Sequence, residues 1–506
     1  MQGFETAGVL AMKALKVSLA ALLWMAAVGA QGEVKLPKVL ADHMVLQRGV
    51  PIHLWGLAGA GEHVTVTLEA DSVSGVADSV GRWSVTLPAR PAGGPYKITV
   101  QGTNTVELND VLVGDLWVAS GQSNMEMPVK GFSSVMVIKD SATEIAKAQY
   151  PQIRLLHVKQ AASGYPLDDL KDAVAWQLCS PETVGTFSAV GYFFGRNIYE
   201  QEKVPIGLID STWGGTPAEA WASMDGLSRS PAIGAVMRER AADMDGEEKI
   251  LLQKGIDAAD AAAGKTVPNR SSNPLIHWEP AALYNAMIAP LTKLPIRGVI
   301  WYQGESNASQ QRAPDYGEVF GTLIEDWRTK WKIGDLPFLY VQIASYTAGP
   351  GWPIVRDQQR RTLRLKNTGM AVAIDVGEEH QIHPAQKQVV GERLALLAES
   401  IAYGKNVVSS GPLFKEAIPV DGGLKVTFDS GVGLKAVGGP LGGFEVAGED
   451  GVFAAADATV SGDTVVVKSA TVTKPVYVRY AWAGWPKVAN LYNGADLPAS
   501  PFTSQP

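Results

Sequence analysis

The sequence of 506 residues predicts a doubly wound α/β region that lies between two β-rich regions. From about residue 111 to residue 404, short unbroken apolar runs alternate with longer helical patterns. Such runs suit strands that are buried on both faces of a parallel sheet, and the intervening helices indicate the α/β class. On either side of this stretch, apolar and polar residues alternate over short segments, as in strands with one buried face.

The first 30 residues match a secretory signal peptide. Lys13 and Lys16 precede an apolar stretch from Val17 to Ala30, which ends in small residues. This stretch is too short to span a bilayer comfortably, so a retained membrane anchor is the less favoured alternative. Met12 offers a second start of translation. We therefore expect an exported chain, periplasmic or secreted, without stable membrane insertion after cleavage.

Residues 31–110 form a predicted N-terminal β-sandwich. Its connectors are rich in glycine and proline, as at residues 92–95. The clearest alternating segments are His63–Leu68, Trp83–Leu87 and Tyr96–Val100. Short alternating strands at close spacing are typical of a β-sandwich.

Residues 111–404 form the predicted α/β region. Its apolar runs include Ile206–Ile209, Gly298–Trp301, Phe338–Gln342 and Met370–Ile374. Residues 228–264 are rich in Ala, Glu, Asp, Lys and Met, which indicates a helical insertion on the surface. Alternation returns after residue 404, for example in Leu424–Phe428 and Thr464–Lys468. Residues 405–506 are therefore predicted to form a second β-sandwich.

The composition excludes several classes of partner. A net charge of −7 without a basic stripe argues against nucleic-acid binding. Cys179 is the only cysteine, so neither an intrachain disulfide nor a thiolate metal cluster can form, and a buried thiol is expected. Generous numbers of glycine (53) and tryptophan (14) suit loop-rich β structure and aromatic surfaces that face carbohydrate.

Ser123 is a candidate nucleophile. An apolar run, Leu116–Ala119, is followed by two small residues and the segment Gly121-Gln122-Ser123-Asn124-Met125. This pattern predicts a buried strand that turns sharply into a helix. A serine at such a turn is exposed beside free backbone N–H groups that can bind an oxyanion. The alternative is a structural helix cap, because serine and asparagine are common in that role.

His383 is the best candidate for the base that a serine nucleophile needs. It lies in the loop that follows the predicted strand Ala371–Ile374, and Pro384 fixes the backbone at the start of the next helical pattern. His157 lies in an apolar strand, where a core imidazole is expected, and His277 could line a substrate cleft. A second hypothesis is a metal site that combines His380 and His383 with Glu378 and Glu379.

Two further loops that follow apolar strands carry candidate oxyanion donors. In residues 210–217, a glycine pair allows the backbone to approach a ligand and direct an N–H group at it, although a tight turn would also need these glycines. In residues 302–307, Gln303 and Asn307 offer amide donors and Glu305 can anchor the loop. Together with Ser123 and His383, these loops supply the groups that acyl transfer requires.

These motifs resemble the sialate O-acetylesterase group of the SGNH hydrolase superfamily. The resemblance covers nearly the whole mature chain. The segments that carry it are Gly114–Glu126, Pro205–Ile209, Trp213–Trp221, Ile300–Asn307, Ile382–Pro384 with Lys387, Asp42–Arg48 and Pro498–Phe502.

The resemblance implies a flavodoxin-like three-layer SGNH core with flanking β domains, and hydrolysis of acetyl esters on sugars without a metal or other cofactor. By the family pattern, Ser123 is the nucleophile and His383 the general base. The oxyanion donors are Gly215 and Gln303, alongside the Ser123 amide. Trp213, Glu305 and Asn307 are predicted to contact the substrate.

The third member of the triad is not fixed by the sequence. Many SGNH enzymes have an aspartate three residues before the histidine, and nearer relatives can have an acid two residues before it. Here these positions hold His380 and Gln381. Asp375, Glu378, Glu379 or a backbone carbonyl could substitute, and a Ser-His dyad remains an alternative.

Three hypotheses remain for the ligand. The resemblance favours 9-O-acetylated sialic acid, and acetylated plant polysaccharides such as xylan are the alternative. A non-catalytic carbohydrate-binding protein is a less favoured third hypothesis. Arg356, Arg360 and Arg361 could hold a sialate carboxylate or belong to a helix surface. The sequence does not predict the oligomeric state.

Overall fold

The structure is a computed structural model that describes residues 32–172, 175–241 and 276–505. The predicted signal peptide lies outside the described residues, as do residues 242–264 of the predicted helical insertion. The described part of the insertion is helical at residues 233–241, and the short helix Met224–Ser228 ends where the predicted insertion begins.

Antiparallel strands dominate the N-terminal region. Alternate side chains of β3 and β5 are buried, as their sequence alternation predicts. Strand β3 pairs with β4 and β6, and β2 pairs with β5. The strands are β1 (Val45–Gln47), β2 (Ile52–Leu57), β3 (His63–Leu68), β4 (Asp71–Val76), β5 (Arg82–Leu87), β6 (Gly93–Gln101) and β7 (Thr105–Gly121).

Strand β7 joins the N-terminal strands to the central sheet. It has 17 residues and crosses the predicted domain boundary at residue 110 without a break. Its first half pairs with β6, whereas Asp115–Gly121 pairs with β10 of the central sheet. The last 11 residues of β7 are buried, since this half has neighbours on both edges and both faces.

A parallel sheet forms the centre of the molecule, in the order β13-β12-β11-β7-β10-β8, and the antiparallel strand β9 completes its edge. Strands β10, β11 and β12 are buried along their whole length, as their apolar runs predict. This sheet and the surrounding helices confirm the prediction of an α/β fold. The strands are β8 (Tyr150–His157), β9 (Trp176–Cys179), β10 (Ile206–Thr212), β11 (Gly298–Tyr302), β12 (Phe338–Gln342) and β13 (Thr368–Val372).

The helices pack against this sheet in two groups. Helices α3 and α7 contact each other closely, because Gly391 of α7 lies against Phe193 of α3. Helix α5 contacts α4 and α6. The helices are α1 (Ser123–Glu126), α2 (Ser141–Lys147), α3 (Ala189–Glu202), α4 (Met224–Ser228), α5 (Tyr316–Trp331), α6 (Gly351–Thr362) and α7 (Lys387–Ile401).

Several single turns of 3₁₀- or π-helix connect these elements. The 3₁₀ turns are Val184–Thr186, Ala218–Trp221, Ile276–Trp278, Ala289–Leu291, Glu305–Asn307 and Ala313–Asp315, and the π turn is Tyr284–Ile288. The free Cys179 at the end of β9 is buried, as predicted.

The C-terminal region contains two four-stranded antiparallel sheets with a hydrophobic cluster of their own. Val426 and Val465 come from the sheet β14-β15-β20-β19, and Val446 and Phe502 from the sheet β18-β17-β21-β23. A short pair, β16-β22, lies beside them. The strands are β14 (Leu413–Val420), β15 (Gly423–Asp429), β16 (Lys435–Ala436), β17 (Phe444–Ala447), β18 (Ala454–Ala455), β19 (Asp457–Ser461), β20 (Thr464–Lys468), β21 (Tyr477–Tyr480), β22 (Leu491–Tyr492) and β23 (Phe502–Thr503).

Candidate active site

Three central strands end in register at the same edge of the sheet. Gly121, the last residue of β7, is paired with Thr212 of β10 on one side and with Tyr302 of β11 on the other. After β7 the chain forms β8 to β10 on one side of this strand and then β11 to β13 on its other side, so β7 lies at the switch point of the sheet. Open α/β sheets bind ligands at this position. The loops after these three strands carry Ser123, the glycine pair and Gln303.

A strained glycine produces the turn before Ser123. Gly121 has φ +130°, and a Cβ atom there would overlap the carbonyl oxygen of Tyr302. Gln122 is extended, and its side chain accepts hydrogen bonds from the amides of Gly304 at 3.4 Å and Ser306 at 3.2 Å. Ser123 begins helix α1 and is partly exposed. The predicted strand, turn and helix are therefore present.

The glycine pair after β10 lies directly against Ser123. A Cβ atom on Gly214 would be 3.2 Å from the Cβ atom of Ser123. The Gly214 amide donates to the Glu126 carboxylate. Gly215 is exposed, has φ +71°, and has open space where a Cβ atom would be. Within the described residues, the backbone amides of Ser123 and Gly215 donate no hydrogen bond to the protein.

Gln303 and Asn307 are buried and contact protein groups. The Gln303 amide nitrogen donates to the Thr216 carbonyl at 3.2 Å and to the Asn307 side chain at 2.7 Å. Asn307 in turn donates to Glu219 at 2.9 Å and accepts from the Ala218 amide at 2.9 Å. Both amide hydrogens of Gln303 are used, so donation to an oxyanion would require the loss of one of these bonds.

Asn124 connects the turn that carries Ser123, here called the nucleophile turn, with the loop of Glu305 and the loop of Ile382. Its amide nitrogen donates to Glu305 Oε1 at 2.6 Å and to the carbonyl oxygen of Ile382 at 3.0 Å. Its amide oxygen accepts from the Lys387 ammonium. Because Ile382 precedes His383, the Asn124 side chain holds the histidine loop next to the serine turn. Glu305 is thus placed to anchor loops, as the sequence suggested.

The His383 ring is half-buried and lies close to the positive charge of Lys387. Burial, reinforced by the nearby Lys387 charge, lowers its pKa to about 4. The imidazole is therefore neutral at pH 7 and able to accept a proton. The Phe132 ring meets it edge to face, with the ring centroids 5.3 Å apart.

No described carboxylate is hydrogen-bonded to the His383 ring, whose buried Nδ1 has no described partner. Asp375 forms a paired salt bridge with Arg393. Glu378 accepts from the Ala385 amide at 2.7 Å. Gln381 accepts from the His383 backbone amide at 3.2 Å, so it orients the loop rather than the ring.

His380 and Glu379 lie 4.0 Å apart with their side chains largely exposed. In the described part of the chain, no group of three or more His, Cys, Asp or Glu side chains is arranged to hold a metal ion. His157 differs from the expected core imidazole, since its ring is about half exposed at the end of β8 and bonds to Asp210 at 3.0 Å.

Trp213 and His277 form an aromatic surface beside the glycine pair. Their rings are stacked, with centroids 4.9 Å apart and planes 9° from parallel. Both residues are partly exposed. The Trp213 backbone amide donates to the Gly121 carbonyl at 3.1 Å, which ties this surface to the nucleophile turn.

The three arginines considered for a sialate carboxylate are engaged elsewhere. Arg356 is fully buried and, among the described residues, donates to four backbone carbonyls, those of Ile343, Ala344, Ala483 and Gly484. Arg360 and Arg361 both bond to Asp357 on the same helix. Arg356 is therefore available neither to a sialate carboxylate nor to a helix surface, whereas Arg360 and Arg361 form a cluster with Asp357 on helix α6.

The sequence interpretation gave no role to Asn124, Glu126 or Lys387, although all three lie within the motifs. The sequence feature that could have pointed to them is the presence of polar residues directly after Ser123 and at the start of α7. Which groups they contact depends on loops that are 88 to 263 residues away in the chain, so spacing alone could not reveal it.

Comparison with known proteins supports an esterase. A family model described as "Carbohydrate esterase, sialic acid-specific acetylesterase" matches residues 261–399. The sialate O-acetylesterase of Mus musculus is 33% identical and aligns with 92% of this chain and 93% of its own length. That of Homo sapiens is 32% identical, with 91% and 90% covered.

A crystal structure described as a novel carbohydrate acetylesterase from Xanthomonas citri has a TM-score of 0.81 and 37% identity. It covers 94% of this chain and 100% of the matched chain. The fold and these similarities define the class of the protein, which is a carbohydrate esterase and thus a carboxylic ester hydrolase. Within that class, the chain belongs to the sialate O-acetylesterase family, since its relatives match over nearly their whole length.

Proposed function

We propose that the protein is a serine esterase that removes O-acetyl groups from sialic acids, with Ser123 as nucleophile and His383 as general base. The observation that carries this proposal is the Asn124 side chain, whose bond to Ile382 holds the His383 loop against the Ser123 turn. The contact between Gly214 and Ser123 adds the oxyanion loop to the same site.

In the proposed reaction, Ser123 Oγ attacks the acetyl carbonyl carbon while His383 accepts the hydroxyl proton. The negative charge on the carbonyl oxygen is stabilised by the amides of Ser123 and Gly215, both without a described protein acceptor. Gln303 is the proposed third donor and would exchange one of its present bonds for the oxyanion. The bond to the sugar oxygen then breaks, and His383 returns the proton to the leaving alcohol.

Water completes the cycle by the same route. His383 removes a proton from water as the water oxygen attacks the acetyl-Ser123 ester. The tetrahedral intermediate releases acetate, and Ser123 regains its proton from His383. Since no described carboxylate contacts the His383 ring, we propose that a Ser-His dyad performs these steps.

The proposed substrate surface includes Trp213, which stacks on His277 beside the oxyanion loop. Aromatic faces suit the apolar faces of sugar rings. The side chains of Glu305 and Asn307 bond to Asn124 and Glu219, so we propose that they hold the loops of the site in place. The specificity for sialic acid rests on the family and its named relatives, and acetylated xylan fragments remain the competing substrate.

The test is acetate release from 9-O-acetylated sialic acid and from acetylated xylo-oligosaccharide by the purified chain. We expect a higher kcat/KM on the sialic acid. A preference for the xylo-oligosaccharide would transfer the proposal to plant polysaccharides, and no release from either would favour a binding protein. Ser123→Ala should fold normally and lose acetate release, whereas undiminished turnover in that variant would refute the nucleophile assignment.

We further propose the finer architecture that the sequence suggested. The α/β region would be a flavodoxin-like three-layer SGNH core, residues 111–404, between β-sandwich domains at residues 31–110 and 405–506. Residues 1–30 would direct export to the periplasm or the medium. In the described residues, no helix is both long and apolar enough to cross a membrane.

A further inference from the structure

Lys387 is a buried cation in an unfavourable position. It is the first residue of helix α7, and its side chain is completely buried. Both burial and the positive end of the helix dipole disfavour an ammonium group there. Burial lowers its pKa to about 7, although the charges of Glu305 and Glu378 oppose this effect. A lysine that is fully buried at the start of a helix suggests a role beyond packing.

The ammonium group fixes the orientation of the Asn124 amide. In its ammonium form Lys387 can only donate, so the oxygen of that amide faces it. The NH₂ group is then directed at Glu305 and at the Ile382 carbonyl, both of which accept. Without the lysine, the buried amide oxygen of Asn124 would lose its one described donor. That loss destabilises the arrangement in which Asn124 bonds to Ile382 and joins the histidine loop to the Ser123 turn.

This link matters because the His383 ring receives no support from a described carboxylate. In a triad, the acid orients the imidazole. Here the loop of the histidine is held through its backbone instead. We propose that Lys387 is a positioning residue of the esterase site, which locks the Asn124 amide and thereby joins the Ser123 turn to the His383 loop. The proposal rests on the function assigned above.

The same ammonium also keeps His383 unprotonated by charge repulsion. The groups that face Lys387 are Glu305, Glu378 and His383, together with the ring of Tyr302, whose centroid is 5.3 Å from Nζ. The Arg356 charge also acts on Glu305. Removal of the Lys387 charge leaves burial as the cause of the low His383 pKa, so that pKa should rise.

The test is the variant Lys387→Met, which keeps the length of the side chain and removes its charge and its donor. We expect kcat for acetate release to fall by ~10–100-fold, as for a misplaced catalytic group, with KM changed less than about threefold. The acidic limb of the kcat/KM profile should move to higher pH by about half a unit or more. The exposed lysine in Lys366→Met is the control, and it should leave both quantities unchanged.

A double-mutant cycle tests whether the effect passes through Asn124. Asn124→Ala should lower kcat by a similar factor, and the pair Lys387→Met with Asn124→Ala should lose little more than either single variant. Fully additive losses would contradict the proposed link. A lower melting temperature with unchanged kcat and an unchanged acidic limb would make Lys387 purely structural and overturn the proposal.

If Lys387→Met does not fold, Lys387→Gln is measured in its place. Glutamine removes the charge but keeps an N–H donor, so we expect the same shift of the acidic limb and a smaller loss of kcat, and an unchanged limb would overturn the proposal. A wild-type chain without esterase activity, or one indifferent to Ser123→Ala, would overturn the proposed function instead. The two failures are therefore distinguishable, because the present inference is tested only against an active wild-type enzyme.

Discussion

The described carboxylates near Ser123 bind backbone and amide N–H groups and not the ring of His383, the proposed base. Glu126 lies three residues after Ser123 and accepts from the Gly214 amide, and Gln160 donates to its other oxygen at 2.9 Å. With the Gly214 amide occupied, the next amide, that of Gly215, is the one available to an oxyanion. Glu126 therefore sets the position of the oxyanion loop.

Two replacements of Glu126 distinguish the effect of its hydrogen bond to Gly214 from the effect of its charge. Glu126→Gln keeps an oxygen that can accept from Gly214, so activity should stay within several-fold of wild type. Glu126→Ala removes that acceptor and should lower kcat by ~10²-fold, comparable to the loss of one oxyanion donor. Steady-state acetate release measures both variants. Equal activity of the alanine and glutamine variants would show that the loop holds its position without Glu126.

The pH dependence of the enzyme should reflect the His383 pKa. Burial and Lys387 hold this pKa at about 4, below the usual histidine value of 6.5. The base is neutral and active above its folded-state pKa, so kcat/KM should rise with pH through about pH 4 and be level by neutral pH. The measurement is kcat/KM for acetate release from pH 3 to pH 8. An acidic limb centred near pH 6.5 would mean that the ring is solvated or paired with an acid.

At the scale of elements, strand β7 ends in a glycine that no other residue can replace without strain. Gly121→Ala would force φ +130° on alanine and push its Cβ atom into the Tyr302 carbonyl. We expect a loss of about 3 kcal/mol or more in the free energy of unfolding, because strain and overlap add. Chemical denaturation measures this loss.

Gly334→Ala is the matched control for Gly121. This glycine also has a positive φ, +74°, but a Cβ atom there would have nothing within 4 Å. Its replacement should lower the free energy of unfolding by only about 1–2 kcal/mol. Similar losses at both positions would show that contact with Tyr302 adds no strain at the end of β7.

The elements of the sheet were predictable from the sequence because buried parallel strands are marked by their own residues. The runs at Ile206–Thr212 and Gly298–Tyr302 are apolar or small over most of their length. The predicted end of β13 was wrong by two residues, since the strand is Thr368–Val372 and the apolar run extends to Ile374. Strand β7 crosses the predicted domain boundary because its first half pairs with β6 and its second half pairs with β10. Local composition does not encode this change of partner strand.

The candidate site was predictable only as a set of loops. Order along the sheet brings the ends of β7, β10 and β11 together, and this follows from the fold class. The partners of individual side chains do not follow from it. Gln303 carries an amide that suits an oxyanion, yet the fold surrounds it with Thr216 and Asn307. The link from Asn124 to Ile382 depends on the path of the loop after β13, which is three strands away from β7.

At the scale of the whole molecule, one buried arginine joins the C-terminal region to the α/β region. Arg356 of α6 donates to carbonyls on both sides, at Ala344 in one region and at Ala483 and Gly484 in the other. Gln342 of β12 adds a bond to Ser500 at 2.8 Å. Burial lowers the Arg356 pKa to about 9, so the guanidinium is still charged at neutral pH.

Arg356→Met should therefore weaken the attachment of the C-terminal sheets. The substitution leaves several buried carbonyls without their donor, and we expect the free energy of unfolding to fall by about 3 kcal/mol or more. The exposed Arg364, which bonds to Glu318 at 3.3 Å, is the control, and Arg364→Met should change stability by about 0.5 kcal/mol or less. Limited proteolysis should cut Arg356→Met between the α/β region and residue 413 faster than either the wild type or Arg364→Met. Identical cleavage rates in the three proteins would mean that the remaining contacts, such as that of Gln342 with Ser500, hold the two regions together without the arginine.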